Sequence, residues 1–362
     1  IVIKMKETPS QLPIQSYVMN FPHTFSTDNP NNVWMKEMSQ KELTINRPKA
    51  YKQFMDLYNF MAGQSLVHLL PAEGNFQDLI YVANLGLHLP HICKENHILL
   101  SNYTSPPRQG EEYVGEKFFK QMGYNTTISP HKWEGEADIK YLKDNVYIGG
   151  FDIRSDIKTY HWMEENFDMN IIKVKMIDEY MYHLDCSIFP LNTRATMICT
   201  ELYEKEELAQ ISKYTDIIDI DVEDSMYGMA NSVRLGNMIL CASNISEMKK
   251  GDEFYEGEKH KISSLEKICS NEGMEPVIFN LSEYMKSGKY QPPTFSHCIN
   301  LLTYSLQNTL WIGNVTFSSL VANVIFRFGA MYFNISIVTV SFCISVSLKS
   351  PYIPIFTSVF GL

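Results

Sequence analysis

The sequence predicts an α/β fold, and three observations carry that prediction. Short apolar segments rich in Val, Ile, Tyr and Phe recur along the chain, each about the length of one strand. Single amphipathic segments of helical period separate them, which is the alternation of an α/β protein. The strands are too short, and hairpin-like pairs too frequent, for a doubly wound sheet. No Gly-rich phosphate loop follows any strand, which argues against nucleotide binding.

The elements follow in order. Residues 1–46 mix Pro, Asn and Ser with short extended pieces. Apolar and polar positions alternate at helical spacing over 49–62, predicting an amphipathic helix. Strands are expected at 78–85 and 96–101, then a helix at 110–123 with Gly123 just past its end. The rhythm continues with strands at 137–150, a helix at 158–167, strands at 171–176 and 186–200, and a helix at 204–213. Strands at 217–221 and 237–242, a helix at 259–271 and a strand at 276–279 complete it. The acidic run from Asp216 to Asp224 reads as a solvated turn.

From about residue 309 the composition changes. Residues 328–348 carry no charge and are long enough to span a bilayer. They are also rich in Ser, Thr and β-branched residues. A membrane segment, sequence foreign to the folded protein, and a buried strand pair all remain open, so a membrane partner is expected only if this tail belongs to the protein. The chain opens on Ile1 rather than Met, which suggests a fragment or an incomplete gene model.

A chain of 362 residues, 45% hydrophobic and 20% charged, is globular in composition and fills one large or two ordinary domains. A net charge of −10, with no basic run, excludes a nucleic-acid partner. The seven cysteines are scattered, odd in number and without a CxxC pair, so neither a zinc cage nor a disulfide framework is indicated. With no signal peptide at the N-terminus, a reducing, cytoplasmic setting is expected. The six Asn-x-Ser/Thr sequons then read as chance.

Four patches carry candidate chemistry. Asp78 precedes an apolar run. Glu134 lies in the Gly- and acid-rich stretch Trp133 to Asp138. His183 and Asp185 stand in Tyr182-His183-Leu184-Asp185-Cys186, and Cys298 follows His297. A carboxylate, an imidazole and a thiol are the components for nucleophilic attack on a cationic carbon. Two carboxylates can also hold a guanidinium in bidentate geometry. If His183 and Asp185 lie in a strand they share a face, and Asp185 orients the ring. The plainer readings are a solvated acid, a core histidine and a buried inert thiol. His88-x-x-His91-x-Cys93 has loosely metal-like spacing but no second ligand cluster, so no metal site is expected.

Read in order, the patches resemble the guanidino-group-modifying (pentein) superfamily, and most closely its arginine dihydrolase branch. Asn32-Val33-Trp34-Met35 looks like that branch's Asn-Pro-Trp-Met. The stretch from Gln77 through Asp78 and Asn84 to Leu87 resembles its Asp- and Ala-Asn-containing motif. Arg108-Gln109-Gly110-Glu111-Glu112 is similar in type. Trp133 to Asp138 resembles Phe-Glu-Gly-x-Gly-Asp, and Gly150 to Asp156, which holds Arg154, resembles Gly-Tyr-Gly-Phe-Arg-Ser. Tyr182 to Cys186 followed by Phe189-Pro190-Leu191 adds a further match. The resemblance covers roughly residues 17–305, implying a catalytic domain over 1–308 and an apolar tail, 309–362, outside it.

The resemblance implies a five-bladed α/β propeller of ββαβ-type units around a central pocket. It implies hydrolysis of the guanidino carbon of arginine, with Cys298 as nucleophile, His183 as acid and base, and Glu134 as the catalytic carboxylate. Asp78, Asn84, Asn32, Arg154 and Asp185 would bind substrate. Asn84 matches the position tied to carrying arginine past citrulline to ornithine. No cofactor or metal is implied. The partner would be a small guanidino compound, with a homo-oligomer left open. Amidinotransferase and dimethylarginine hydrolase activity on the same scaffold are the alternatives, as is an inactive binding protein. Three departures stand out: a longer loop, Lys289 to His297, before Cys298; Asn102 where relatives carry an Arg for the substrate carboxylate; and Ala137 in place of a Gly.

Overall fold

The computed structural model describes residues 15–92, 96–287 and the strand 304–306. Among them the strands form five three-stranded sheets, all built alike. Strands β1 (Ser16–Asn20) and β2 (Leu66–Leu70) run parallel, joined by the helix Arg47–Ala62. Strands β3 (Gly86–His88), β4 (His97–Leu100) and β5 (Asn125–Ile128) form the second sheet. Its first pair is antiparallel and its second parallel, with the helix Glu111–Gln121 between β4 and β5.

The third sheet repeats this plan with β6 (Ile139–Lys143), β7 (Val146–Phe151) and β8 (Asn170–Lys175) around the helix Ile157–Phe167. The fourth uses β9 (Ile188–Pro190), β10 (Ala195–Ile198) and β11 (Asp216–Asp219) with the helix Lys205–Ile211. The fifth uses β12 (Val233–Leu235), β13 (Met238–Ala242) and β14 (Glu275–Phe279) with the helix Glu253–Glu272. Strand β15 (Tyr304–Leu306) supplies the antiparallel partner that β1 otherwise lacks. Short strands suffice because each sheet has only three members and buries its faces against neighbours.

Five apolar clusters do that burying, and each joins two sheets. Val18 and Leu70 of the first sheet pack with Ile98 and Leu100 of the second. Leu87 and Leu99 pack with Ile139 and Tyr147, and Ile148 and Val174 with Ile188 and Ile198. Phe189 and Met197 pack with Ile239 and Cys241, and Tyr17 and Met19 with Val233 and Leu240. Each fully buried Leu or Ile contributes about 1.5–3 kcal/mol relative to exposure.

Most predicted helices and strands match in kind, with ends displaced by a few residues. The helix at 253–272 begins earlier than its apolar period suggests. Gly123 does lie past its helix end, at φ 88°. The acidic run is not a turn: Asp216–Asp219 is an outer strand with half-buried Ile217 and Ile218, and Asp221 caps a short helix, Val222–Met226. Nor is 78–85 a strand. Tyr81 N donates to Asp78 O, and Asn84 N to Tyr81 O, winding it into turns that end in the 3-10 helix Val82–Leu85. No helix among the described residues is long and apolar enough to cross a membrane. The expected break at residue 309 lies outside the described residues.

Candidate active site

The turns that lead into the first strands of the second, third and fourth sheets bring the candidate residues together. Glu134 ends an extended piece in which Trp133 and Asn102 exchange backbone hydrogen bonds. The next residue, Gly135, has φ 69°, and a Cβ there would lie 2.5 Å from the carbonyl carbon of Asn84. Only glycine lets the Glu134 turn approach the Asn84 turn this closely. Ala137, the departure from the family's Gly, buries its methyl with Ala83 and Tyr81.

Glu134 is fully buried. Its Oε1 accepts from the backbone N–H groups of Thr104 (3.2 Å) and Ser105 (3.1 Å) and from Arg154 Nη1 (3.4 Å). Burial pushes this carboxyl up, but Arg154, His183, Arg108 and the Ser105 amide outweigh it and hold Glu134 below its ordinary value. Its other oxygen, Oε2, lies 3.6 Å from His183 Nε2 and has no hydrogen-bond partner.

His183 is almost fully buried, and its two nitrogens face different groups. Nδ1 lies 2.6 Å from Asp138 Oδ1, and Nε2 lies 3.1 Å from the Asn84 amide nitrogen. Asp138 accepts from Ser155 Oγ at 2.5 Å through its other oxygen. The network assigns the proton to Nδ1, leaving Nε2 as acceptor from Asn84. Asp138 therefore orients the ring, which corrects the expectation for Asp185. Residues Leu184–Cys186 form a 3-10 turn, so a spacing of two no longer places side chains on one face. Asp185 is buried beside Cys186, with 3.9 Å between Sγ and its Oδ1.

Asn84 is fully buried, and its Oδ1 has no partner. Two unsatisfied acceptors, Glu134 Oε2 and Asn84 Oδ1, thus belong to residues with atoms 3.6 and 3.1 Å from His183 Nε2. Buried acceptors without donors cost free energy unless a ligand supplies the hydrogens. Asp78 Oδ2 accepts from Asn31 Nδ2 (2.7 Å) and Gln77 Nε2 (3.0 Å). Burial raises its pKa, against the lowering by Arg108, Gln77 and Arg154.

The remaining predicted residues are committed to neighbours. Asn32 caps the helix Val33–Glu37 by accepting from Met35 N, and donates to Ser287 O at 2.8 Å. Tyr81 OH also bonds Ser287 Oγ, so two groups hold the last residue before the segment that carries Cys298. Cys298 lies outside the described residues. Arg154 donates to Asn31 O (2.9 Å) and lies 4.7 Å over the Tyr182 ring. Arg108, part of a motif seen in the sequence but given no role there, pairs with Glu111 and donates to the carbonyls of Asp78 and Tyr81. It holds the Asp78 turn in place.

His91 bonds Tyr147 OH and Phe167 O through its two nitrogens, so both of its ligand atoms are already engaged. Cys93 lies outside the described residues. Elsewhere, Asp221, Asp224 and His260 place ligand atoms within 4.8 Å of one another.

The fold is a mixed α/β arrangement of small sheets. No protein-family model matches the chain. The bifunctional arginine dihydrolase/ornithine cyclodeaminase AgrE of Nostoc sp. is 27% identical over 178 residues, 48% of this chain and 24% of its own length. ArgZ of Synechocystis sp., with the same two activities in its name, is 25% identical over 174 residues, 47% of this chain and 24% of its own. The chain spans about a quarter of these relatives' length. The uncharacterized protein YkgA of Bacillus subtilis is 27% identical over 224 residues, 61% of this chain and 70% of its own.

Among solved structures, the N-terminal domain of ArgZ bound to product has a TM-score of 0.67 at 20% identity, covering 81% of this chain and 97% of that one. Unliganded AgrE gives 0.67 at 21% identity, over 80% of this chain and 39% of that one. A dimethylarginine dimethylaminohydrolase gives 0.57 at 14% identity, over 81% and 100%. These solved structures share the fold of this chain.

Proposed function

We propose that this protein hydrolyses the guanidino carbon of arginine, as a dihydrolase that yields ornithine, two ammonia and carbon dioxide. The observation that carries this is the pair of buried, unsatisfied acceptors, Glu134 Oε2 and Asn84 Oδ1, on the two residues around His183 Nε2. A guanidinium offers donors to both and neutralises the Glu134 charge, and it stays protonated at any working pH. The names of AgrE and ArgZ support arginine as the compound.

In this reading His183 Nε2 takes the proton of the Cys298 thiol, the thiolate attacks the guanidino carbon, and the tetrahedral adduct collapses as ammonia leaves with that proton. Water then gives a proton to His183 and attacks the thiouronium carbon, expelling the thiolate. Asn84 retains the resulting ureido group for a second round, which releases carbon dioxide, ammonia and ornithine. A reducing, cytoplasmic setting would preserve the thiol. We take residues 1–308 as the catalytic domain, and the five sheets as blades of a five-bladed α/β propeller around the pocket. Support for the propeller comes from the clusters, which link each sheet to the next and the fifth to the first.

The test is incubation of the full chain with arginine, with citrulline, ornithine and ammonia measured. Ornithine with two equivalents of ammonia is expected, and Asn84→Ser should shift the product toward citrulline. Citrulline as sole product of the unmutated protein would reduce the proposal to a deiminase. No product at all would overturn it.

A further inference from the structure

We infer that Lys132, steadied by Asn102, is the anion-binding end of the site and selects guanidino compounds that carry a carboxylate. This rests on the guanidino-site reading above. Trp133 is buried in the core, so in the extended piece its neighbours Lys132 and Glu134 project to the opposite face. Both run along the same stretch of chain. Lys132 Nζ donates to Asn102 Oδ1 (2.9 Å) and Tyr103 O (2.7 Å), while Glu134 Oε1 accepts from Thr104 N and Ser105 N. The ammonium and the carboxylate are therefore offset by two residues along that stretch, about 6.5 Å of extended chain.

That offset matches the substrate. From guanidino carbon to carboxylate, arginine spans six bonds, roughly 7 Å when extended. A guanidinium on Glu134 would thus place its carboxylate at Lys132. Of the neighbouring cations among the described residues, Arg108 is buried against Glu111, and Arg154 donates to Glu134 Oε1 and Asn31 O at the Glu134 end of the stretch. Lys132 is exposed and uses two of its three donors, so one remains for an incoming anion. Asn102 acts through its carbonyl oxygen to hold Lys132 in place.

The experiment compares binding of L-arginine and of agmatine, its decarboxylated analogue, by calorimetry. It uses the full chain with Cys298→Ser to prevent turnover, with and without Lys132→Gln. Loss of one charge-assisted hydrogen bond should weaken arginine about tenfold to a hundredfold and leave agmatine within about twofold. Lys132→Arg should restore most of the arginine affinity. If Lys132→Gln leaves arginine binding unchanged, or weakens both ligands alike, the inference fails while the guanidino site stands. If the protein with Lys132 intact binds neither compound, the site reading itself fails and the inference with it.

Discussion

Replacing Asp138 with Asn tests whether this buried carboxylate positions and charges the proposed acid–base group. The 2.6 Å contact between Asp138 Oδ1 and His183 Nδ1 lies at the short, charge-assisted end of hydrogen bonding, and both residues are almost fully buried. Losing the charge removes about 1.5–3 kcal/mol of stabilisation from an imidazolium, or about tenfold to a hundredfold in rate. A second effect follows if the amide turns its NH2 to the ring. The proton then moves to Nε2, where it meets the Asn84 amide nitrogen, itself a donor, at 3.1 Å. Together the effects lower kcat for ammonia release by about tenfold to a thousandfold. Arginine affinity, measured in the Cys298→Ser background, should change by no more than about threefold, because no contact of Asp138 involves the unsatisfied acceptors. A D138N protein that melts normally and keeps kcat within about twofold would refute the reasoning.

Two further variants probe the geometry. Asp78 has a pKa raised by burial, so the folded state takes up a proton more readily than the unfolded chain. Stability from this group therefore falls as pH rises from the unfolded value through the folded one, and ionised Asp78 costs stability at neutral pH. Asp78→Asn should raise the melting temperature at pH 7 while weakening arginine binding; a lowered melting temperature would contradict the assignment. Gly135→Ala, at φ 69° and with 2.5 Å to the Asn84 backbone, should cost about 1–3 kcal/mol and reduce kcat. Wild-type stability and rate together would show that the two turns need not touch.

The alternation of strands and helices was legible because each unit keeps a short apolar strand next to one amphipathic helix. Residues 78–85 misled because Leu79, Val82 and Leu85 pack into one cluster while Ile80, Tyr81 and Ala83 pack into another. A turn buried on both sides has the same continuous apolar run as a buried strand. The motif patches located Glu134, His183 and Asn84, which the fold brings together. The partner of His183 was not legible: Asp138 lies 45 positions away, whereas Asp185 stood two residues off and offered a false local explanation. Asn32 and Arg108 match the family motifs, but their contacts hold backbone, and sequence spacing does not distinguish a residue that holds a turn from one that holds a ligand.

The central claim is that a guanidino carbon is attacked by Cys298 at the carboxylate and imidazole described above. Intact-protein and peptide mass spectrometry of the full chain, acid-quenched during turnover of arginine, tests it most directly. The account predicts a mass gain of one arginine less one ammonia, confined to the peptide that contains Cys298 and absent from Cys298→Ser. Undiminished turnover by Cys298→Ser, or an adduct on a different cysteine, would contradict it.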